Sequence, residues 1–251
     1  MDELALAREL ADIADEIAMR YFNHDPATQI KADGTIVTEA DQQIEAALRK
    51  RIGEVFPGHA ILGEEDGLQG DPEAPTWVID PIDGTNNFAW GIPIFGTLIA
   101  LRIGGRTEAG VASAPALGER YEAARGDGAR MNGAPIKVST VSRIEDSRIC
   151  YASWTWWAAS PYAGRWLEIL SRCKRSRGFG DFWGHALVAR AAAEAMAEPS
   201  LSLWDVAALE VIIEEAGGKM TTFDGGPFTQ KGTCLTTNGA LHDQLIIALS
   251  K

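Results

Sequence analysis

The sequence predicts a mixed α+β/α/β protein built from two intimately packed halves, residues 1–145 and 146–251. Three observations carry this reading. From Thr76 to Gly133, β-branched runs punctuated by glycines follow two amphipathic helical patterns, the texture of an α+β half rich in antiparallel strands. Beyond about residue 146, strand and helix patterns alternate, as in an α/β layer. No repeat, low-complexity tract or Pro/Gly/Ser-rich linker separates the two textures, and 251 residues suit one large domain or two halves packed as one body.

Taken in order, Leu6, Leu10, Ile13, Ile17 and Tyr21 recur at helical spacing, so residues 2–22 read as an amphipathic helix with its acids facing water. Thr38 caps a second helix, and Asp41 three residues on completes a capping-box pattern. Ile44, Leu48, Ile52 and Val55 give that helix its buried stripe before Pro57. Thr76–Asp80 and Thr97–Ile103 read as strands, and Arg106–Gly133 as hairpins punctuated by Gly110, Gly118, Gly126 and Gly128. In the second half, a strand at Arg148–Ser153 precedes a Trp-rich region. Helices follow near Gly184–Met196 and Trp204–Ala216, then a strand at Cys234–Asn238 and a last helix.

Composition bounds the function. The chain is 46% hydrophobic and 23% charged, which sets aside disordered, collagen-like and disulfide-scaffold classes. Its net charge is 23 − 35 = −12, and four protonated His would still leave −8. Neither a nucleic-acid backbone nor an anionic membrane surface suits such a protein, and an anionic substrate would need a bridging cation. Cys150, Cys173 and Cys234 make no CxxC pair and no disulfide framework. The acidic run from Asp2 to Glu16 is unlike a signal peptide, and the uncharged stretch Asn86–Leu101 falls short of the roughly 20 apolar residues of a membrane span. A cytoplasmic protein is expected.

The densest polar signal is Gly63-Glu64-Glu65-Asp66, followed by Trp77-Val78-Ile79-Asp80-Pro81-Ile82-Asp83-Gly84-Thr85. A strand delivers Asp80 to its end, Pro81 fixes a turn, and Asp83 emerges three residues later, so two carboxylates and the Ile82 carbonyl can converge. Hard oxygen donors of this kind suit Mg²⁺. Gly84 and Thr85 lead into a short helix whose free amides could hold a phosphate beside the metal. Each piece also has a plainer reading. Acids before Gly commonly cap turns, Glu65 and Asp66 fit a solvated charge run, and Asp205 fits an acid favoured by the dipole at a helix start. The ensemble, with a permissive Gly where an anion must approach, favours the phosphate site.

The runs Leu62-Gly63-Glu64-Glu65, Asp80-Pro81-Ile82-Asp83-Gly84-Thr85-Asn86-Asn87-Phe88, and Trp204-Asp205-Val206-Ala207-Ala208 with Glu215-Ala216-Gly217-Gly218 resemble signatures of the inositol monophosphatase family of Mg²⁺-dependent phosphatases. Order and spacing agree over nearly the whole chain. The resemblance implies a layered αβαβα sandwich, usually a homodimer, acting on a small-molecule phosphate ester. It implies that Glu64, Asp80, the Ile82 carbonyl, Asp83 and Asp205 hold two or three Mg²⁺ ions, that Gly84 and Thr85 hold the phosphate, and that Asp41 with Lys31 lies at the edge of the site. Glu64 and Thr85 would orient and activate a water for in-line attack, with Asp80 a further catalytic carboxylate.

The segment Arg177-Gly178-Phe179-Gly180-Asp181-Phe182-Trp183-Gly184-His185 is similar to the histidinol-phosphate phosphatase branch rather than to the Gly-Ser/Thr-Ala-Ala run of inositol-specific relatives. Glu198, seven residues before Asp205, matches a position that contacts the non-phosphate end of the substrate in the family. The ammonium and imidazole of histidinol phosphate would suit carboxylates at Asp181 and Glu198 beside aromatic faces. Phe179, Phe182 and Trp183 would equally serve as core, with Asp181 capping a helix from Gly184. Ala191 stands where that branch usually carries Gly, and inside a helix it should favour the helix slightly. The expected reaction is hydrolysis of histidinol phosphate, a step of histidine biosynthesis. An inositol-1-phosphate or broad sugar-phosphate phosphatase is the alternative, and a retired binding subunit a remote one.

Other signals lead nowhere. Gly178-Phe179-Gly180 and Gly126-Asp127-Gly128 do not complete a dinucleotide GxGxxG, and His24, His59, His185 and His242 lack zinc-ligand spacing. There is no HExxH or GxSxG motif. Trp154, Trp156, Trp157 and Trp166 are expected to fill core or a dimer interface.

Overall fold

Asp2 starts the first helix: its Oδ1 accepts the Ala5 N–H at 2.7 Å, and α1 (Glu3–Tyr21) buries Leu6, Leu10, Ala14 and Ile17 along one stripe. The computed structural model describes residues 2–23, 28–30 and 36–250. The short strands β1 (Thr28–Ile30) and β2 (Ile36–Thr38) pair antiparallel, and β2 runs into α2 (Glu39–Val55). The Thr38–Asp41 capping box opens α2 as its spacing predicts, with the Thr38 N–H 2.8 Å from Asp41 Oδ2.

An eight-stranded sheet follows. Its strands are β3 (Ala60–Gly63), β4 (Gly67–Gln69), β5 (Thr76–Asp83), β6 (Gly96–Ile103), β7 (Arg106–Ala114), β8 (Glu119–Ala124), β9 (Ala129–Met131) and β10 (Ala134–Pro135), with α3 (Thr85–Ala89) between β5 and β6. They lie in the order β10-β9-β8-β7-β6-β5-β3-β4, all antiparallel except the β3–β5 pair. The remaining chain supplies β11 (Arg148–Tyr151), α4 (Trp154–Ala159), α5 (Ala163–Arg172), β12 (Arg175–Arg177), α6 (Asp181–Ala189), β13 (Ala195–Ser202), α7 (Leu203–Glu215), β14 (Lys219–Thr221), β15 (Lys231–Thr237) and α8 (His242–Ser250). Its strands form a second sheet, β12-β11-β13-β15-β14, in which β11 is parallel to both neighbours.

Three apolar clusters weld the layers into an αβαβα sandwich. α1 and α2 cover one face of the first sheet, α6 and α7 fill the space between the sheets, and α4, α5 and α8 pack with the outer side of the second. α7 buries Val206 to Leu209 and Val211 to Ile213, an apolar girdle rather than a stripe, because it has a sheet on either side. At about 1.5–3 kcal/mol per fully buried aliphatic side chain, this helix is among the most firmly seated in the fold. No helix among the described residues is long and apolar enough to cross a membrane, and all three cysteines are free.

The structure corrects three local expectations and divides a fourth. The helix expected at Gly184–Met196 begins earlier and stops at Ala189, and Ala195 and Met196 belong to β13. Ala191 therefore lies outside the helix, at φ 61° in the left-handed region, where alanine is strained rather than helix-favouring. The strand from Arg148 ends at Tyr151 instead of Ser153. The Trp-rich region is helical, α4 and α5, and it divides: Trp157 and Trp166 stack in the core with centroids 4.5 Å apart, whereas Trp154 and Trp156 stay on the surface.

Candidate active site

In a regular strand Asp80 and Asp83 would project to opposite faces. In β5, Asp80 pairs with Leu98 and Asp83 with Gly96, so β5 contains one residue more than β6 between these pairs. The resulting bulge re-phases the strand, and both carboxylates line one cavity of about 250 Å³. Pro81 occupies the bulge, where its missing N–H removes no ladder bond, and its carbonyl accepts Thr97 Oγ1 at 2.7 Å. Gly84 then turns the chain into α3 at φ 82°, and a Cβ there would stand 3.0 Å from the Ile94 carbonyl. Angle and space both require glycine.

Two further elements reach the cavity. Asp205 is the third residue of α7, its Oδ2 accepting the Ser202 N–H at 2.7 Å. Glu64 follows β3, with its N–H on the Ile79 carbonyl at 3.2 Å. Behind it the buried Glu45 of α2 accepts the N–H groups of Glu65 (2.9 Å) and Asp66 (3.0 Å), and Arg49 Nη2 lies 2.7 Å from Glu45 Oε1. A Cβ on Gly63 would fall 2.2 Å from that carboxylate, so Gly63 is the space Glu45 needs to hold the loop that carries Glu64. Sequence reasoning missed Glu45 and Arg49.

One oxygen from each of Asp80, Asp83 and Asp205 lies within 4.8 Å of the others. Burial pushes Asp80 well above the usual carboxylate range, and the charges of Glu64, Asp83 and Asp205 push it further. Asp83 is raised in the same way, first by burial and then by Asp181. Burial lifts Asp205 to about 7. Asp80 Oδ1 is buried with no hydrogen-bond partner among the described residues. An oxygen-only donor set whose buried member, Asp80, keeps an unsatisfied lone pair fits a hard divalent cation.

A profile of the inositol monophosphatase family matches residues 1–251. The chain belongs to the inositol monophosphatase family. It is accordingly a phosphatase. It is 40% identical over 255 residues to a histidinol-phosphatase of Mycobacterium tuberculosis, covering 99% of this chain and 98% of that protein. A histidinol-phosphatase of Streptomyces coelicolor is 39% identical over 256 residues, covering 98% and 96%. Among solved structures, the IMPase of Thermotoga maritima is similar with a TM-score of 0.90 at 29% identity, covering 100% of this chain and 97% of that one.

The other expected residues of this inositol monophosphatase-family site fall as follows. Ile82, Gly84, Thr85, Asp181 and Glu198 line the cavity with the acids. Thr85 Oγ1 donates to the Ile82 carbonyl at 2.9 Å. Asp41 is fully buried in the first turn of α2, off the cavity wall, raised to about 7 by burial, with Oδ1 unpartnered among the described residues. Lys31 lies outside the described residues. Phe179, Phe182 and Trp183 do not line the cavity: Phe182 is core, and the Phe179 and Trp183 rings pack on each other 5.0 Å apart. The aromatic surface of the cavity comes instead from Trp156 and Trp204, joined by Lys231. Trp156 and Ser200 also line an adjoining cleft of about 490 Å³ with Tyr162 and Pro161.

Proposed function

We propose that this phosphatase is a Mg²⁺-dependent phosphomonoesterase that hydrolyses histidinol phosphate to histidinol and phosphate. The observation that carries the reading is one cavity lined by Asp80, Asp83 and Asp205, whose carboxylate oxygens lie within 4.8 Å of one another, together with Asp181, Glu198, Trp156 and Trp204. Glu64, Asp80, the Ile82 carbonyl, Asp83 and Asp205 are the residues that would hold two or three ions. Bound there, Mg²⁺ supplies the positive charge a phosphate dianion needs to enter an acidic cavity, and it makes water acidic enough to attack at neutral pH.

The chain's own groups orient the reaction. The single Thr85 hydroxyl proton is committed to the Ile82 carbonyl, so toward the cavity Oγ1 acts as an acceptor. Glu64 accepts as well. A water donating to both would turn a lone pair toward phosphorus and pass its proton to Glu64. Gly84 and Thr85 start α3 without a side-chain cap, and their amides would hold phosphate oxygens. Asp181 and Glu198 favour an ammonium over a hydroxyl, and an indole face suits a cation or a flat ring. The two relatives named histidinol-phosphatases support the same substrate.

Phosphate release from histidinol phosphate and from inositol 1-phosphate, measured in parallel with Mg²⁺ and with a chelator, tests this. The expected result is at least about tenfold higher kcat/KM for histidinol phosphate, abolished by the chelator and in Asp80→Asn. Preference for inositol 1-phosphate would overturn the substrate. Undiminished release in chelator, or by Asp80→Asn, would overturn the metal assignment.

A further inference from the structure

Behind the cavity wall a buried polar chain joins Glu198 to two residues that the reaction above does not use, His185 and Thr236. His185 on α6 is 1% exposed and bridges two strands of the second sheet. Its Nδ1 lies 2.7 Å from Thr236 Oγ1 on β15, and its Nε2 lies 3.1 Å from Glu198 Oε2 on β13. Burial pushes the imidazole down to about 3, so the ring is neutral, with one nitrogen a donor and the other an acceptor. Opposite the cation of a bound substrate Glu198 is ionised and only accepts, which puts the ring proton on Nε2 and leaves Nδ1 to accept the Thr236 hydroxyl. Glu198 also accepts the backbone N–H of Asp181, one turn earlier on the same helix. α6 thus grips the Glu198 carboxylate at two points while Glu198 remains part of the cavity wall.

We infer that His185, locked by Thr236, is a positioning residue that aims the Glu198 carboxylate at the non-phosphate end of the substrate and sets the preference for a cationic alcohol phosphate over a neutral polyol phosphate. The inference rests on the reading of Glu198 as a substrate contact. A glutamate without such a partner spreads over several rotamers and must be ordered when substrate arrives, whereas a side chain ordered in advance imposes no such cost on binding. A carboxylate fixed in one direction also rewards a cation at one place only, which is discrimination rather than general attraction. His185→Phe would fill the ring's volume and remove the bonds that the imidazole makes to Thr236 and Glu198, leaving Glu198 only the Asp181 N–H.

The test is kcat and KM for histidinol phosphate and inositol 1-phosphate, with the inhibition constant of inorganic phosphate, for wild type, His185→Phe, His185→Gln, Thr236→Val and Glu198→Gln with Mg²⁺ present. His185→Phe should raise KM for histidinol phosphate about tenfold with kcat within about threefold, leaving the inositol 1-phosphate KM and phosphate inhibition as in wild type. Thr236→Val should move KM the same way by less. His185→Gln, whose amide offers a donor and an acceptor, should restore the preference. The inference is overturned if His185→Phe, or Thr236→Val should the first not fold, affects both substrates alike. It is also overturned if these variants keep the wild-type KM ratio while Glu198→Gln changes it. If Glu198→Gln leaves that ratio unchanged, the substrate-contact reading of Glu198 itself fails and takes the inference with it.

Discussion

Replacing Ala191 with glycine should stabilise this protein. α6 is capped at Arg190, and the chain reverses on Ala191 at φ 61°. The Ala192 N–H reaches the Leu187 carbonyl at 2.8 Å and the Ala191 N–H reaches that of Val188 at 3.1 Å, the paired bonds of a Schellman closure whose left-handed residue is normally glycine. A Cβ in this region costs about 1–2 kcal/mol, and glycine's added freedom in the unfolded chain takes back about 0.4–1 kcal/mol. The midpoints of these ranges leave a net gain of about 0.8 kcal/mol, or about 2–3 °C in Tm for a chain of this size. Little opposes it: the lost methyl is not in the buried core, and the Ala191 carbonyl that accepts Arg148 Nη2 at 3.0 Å is retained. Thermal melts of Ala191→Gly against wild type read the effect. Ala192→Gly is the control, since Ala192 is not among the positive-φ residues, and it should lose about 0.5–1 kcal/mol. A Tm for Ala191→Gly at or below wild type would refute the strain argument.

Other outcomes follow from the site. Burial raises Asp41 and Asp181 to about 7 and Glu198 to about 8, from unfolded values of about 4. Protons thus stay longer on the folded chain, so in chelator the stabilisation is full below about pH 4 and lost as pH rises through about 7–8. Tm by scanning fluorimetry should fall from pH 5 to pH 8, and Mg²⁺ should raise it more at pH 8, where the ligands are deprotonated; a flat or rising profile in chelator would contradict the buried-acid picture. Gly63→Ala puts a Cβ 2.2 Å from Glu45 Oε1, so a loss of about 1–3 kcal/mol in denaturant melts and a fall in turnover are expected together. Trp156→Ala, at a half-exposed position, should leave stability within about 0.5 kcal/mol. Its KM for histidinol phosphate should rise roughly 2- to 30-fold, the loss of one cation–π contact of about 0.5–2 kcal/mol; an unchanged KM would remove Trp156 from the substrate's path.

The elements legible in the sequence are those whose signals are local. Thr38 and Asp41 announce α2 because a capping box needs only four neighbouring residues. The failure at Arg190–Met196 has the opposite origin. The run Ala191-Ala192-Ala193-Glu194-Ala195-Met196-Ala197 consists of strong helix formers, and nothing within it signals a strand. Yet Ala195–Ser202 pairs with β11 on one side and β15 on the other, and a central position in a buried sheet outweighs local propensity.

The candidate site divides in the same way. Asp80, Asp83, Gly84 and Thr85 are near neighbours in the chain, so their convergence could be argued from a turn. The residues that hold them are remote in sequence: Glu45 acts across 20 residues on Glu65, and His185 across 51 on Thr236. Asp83 joins the two classes. Its Oδ2 accepts the Phe182 N–H at 2.6 Å, so a carboxylate from the first sheet caps α6, the work that sequence reasoning offered to Asp181. Asp181, at φ 58°, instead accepts from Asn87 Nδ2 at 3.1 Å. The helix that grips Glu198 is therefore seated by an acid of the proposed metal set. A substitution at Asp83 should disturb substrate preference as well as Mg²⁺ dependence, whereas one at Asp80, whose Oδ1 has no partner among the described residues, should leave α6 in place and report on the metal alone.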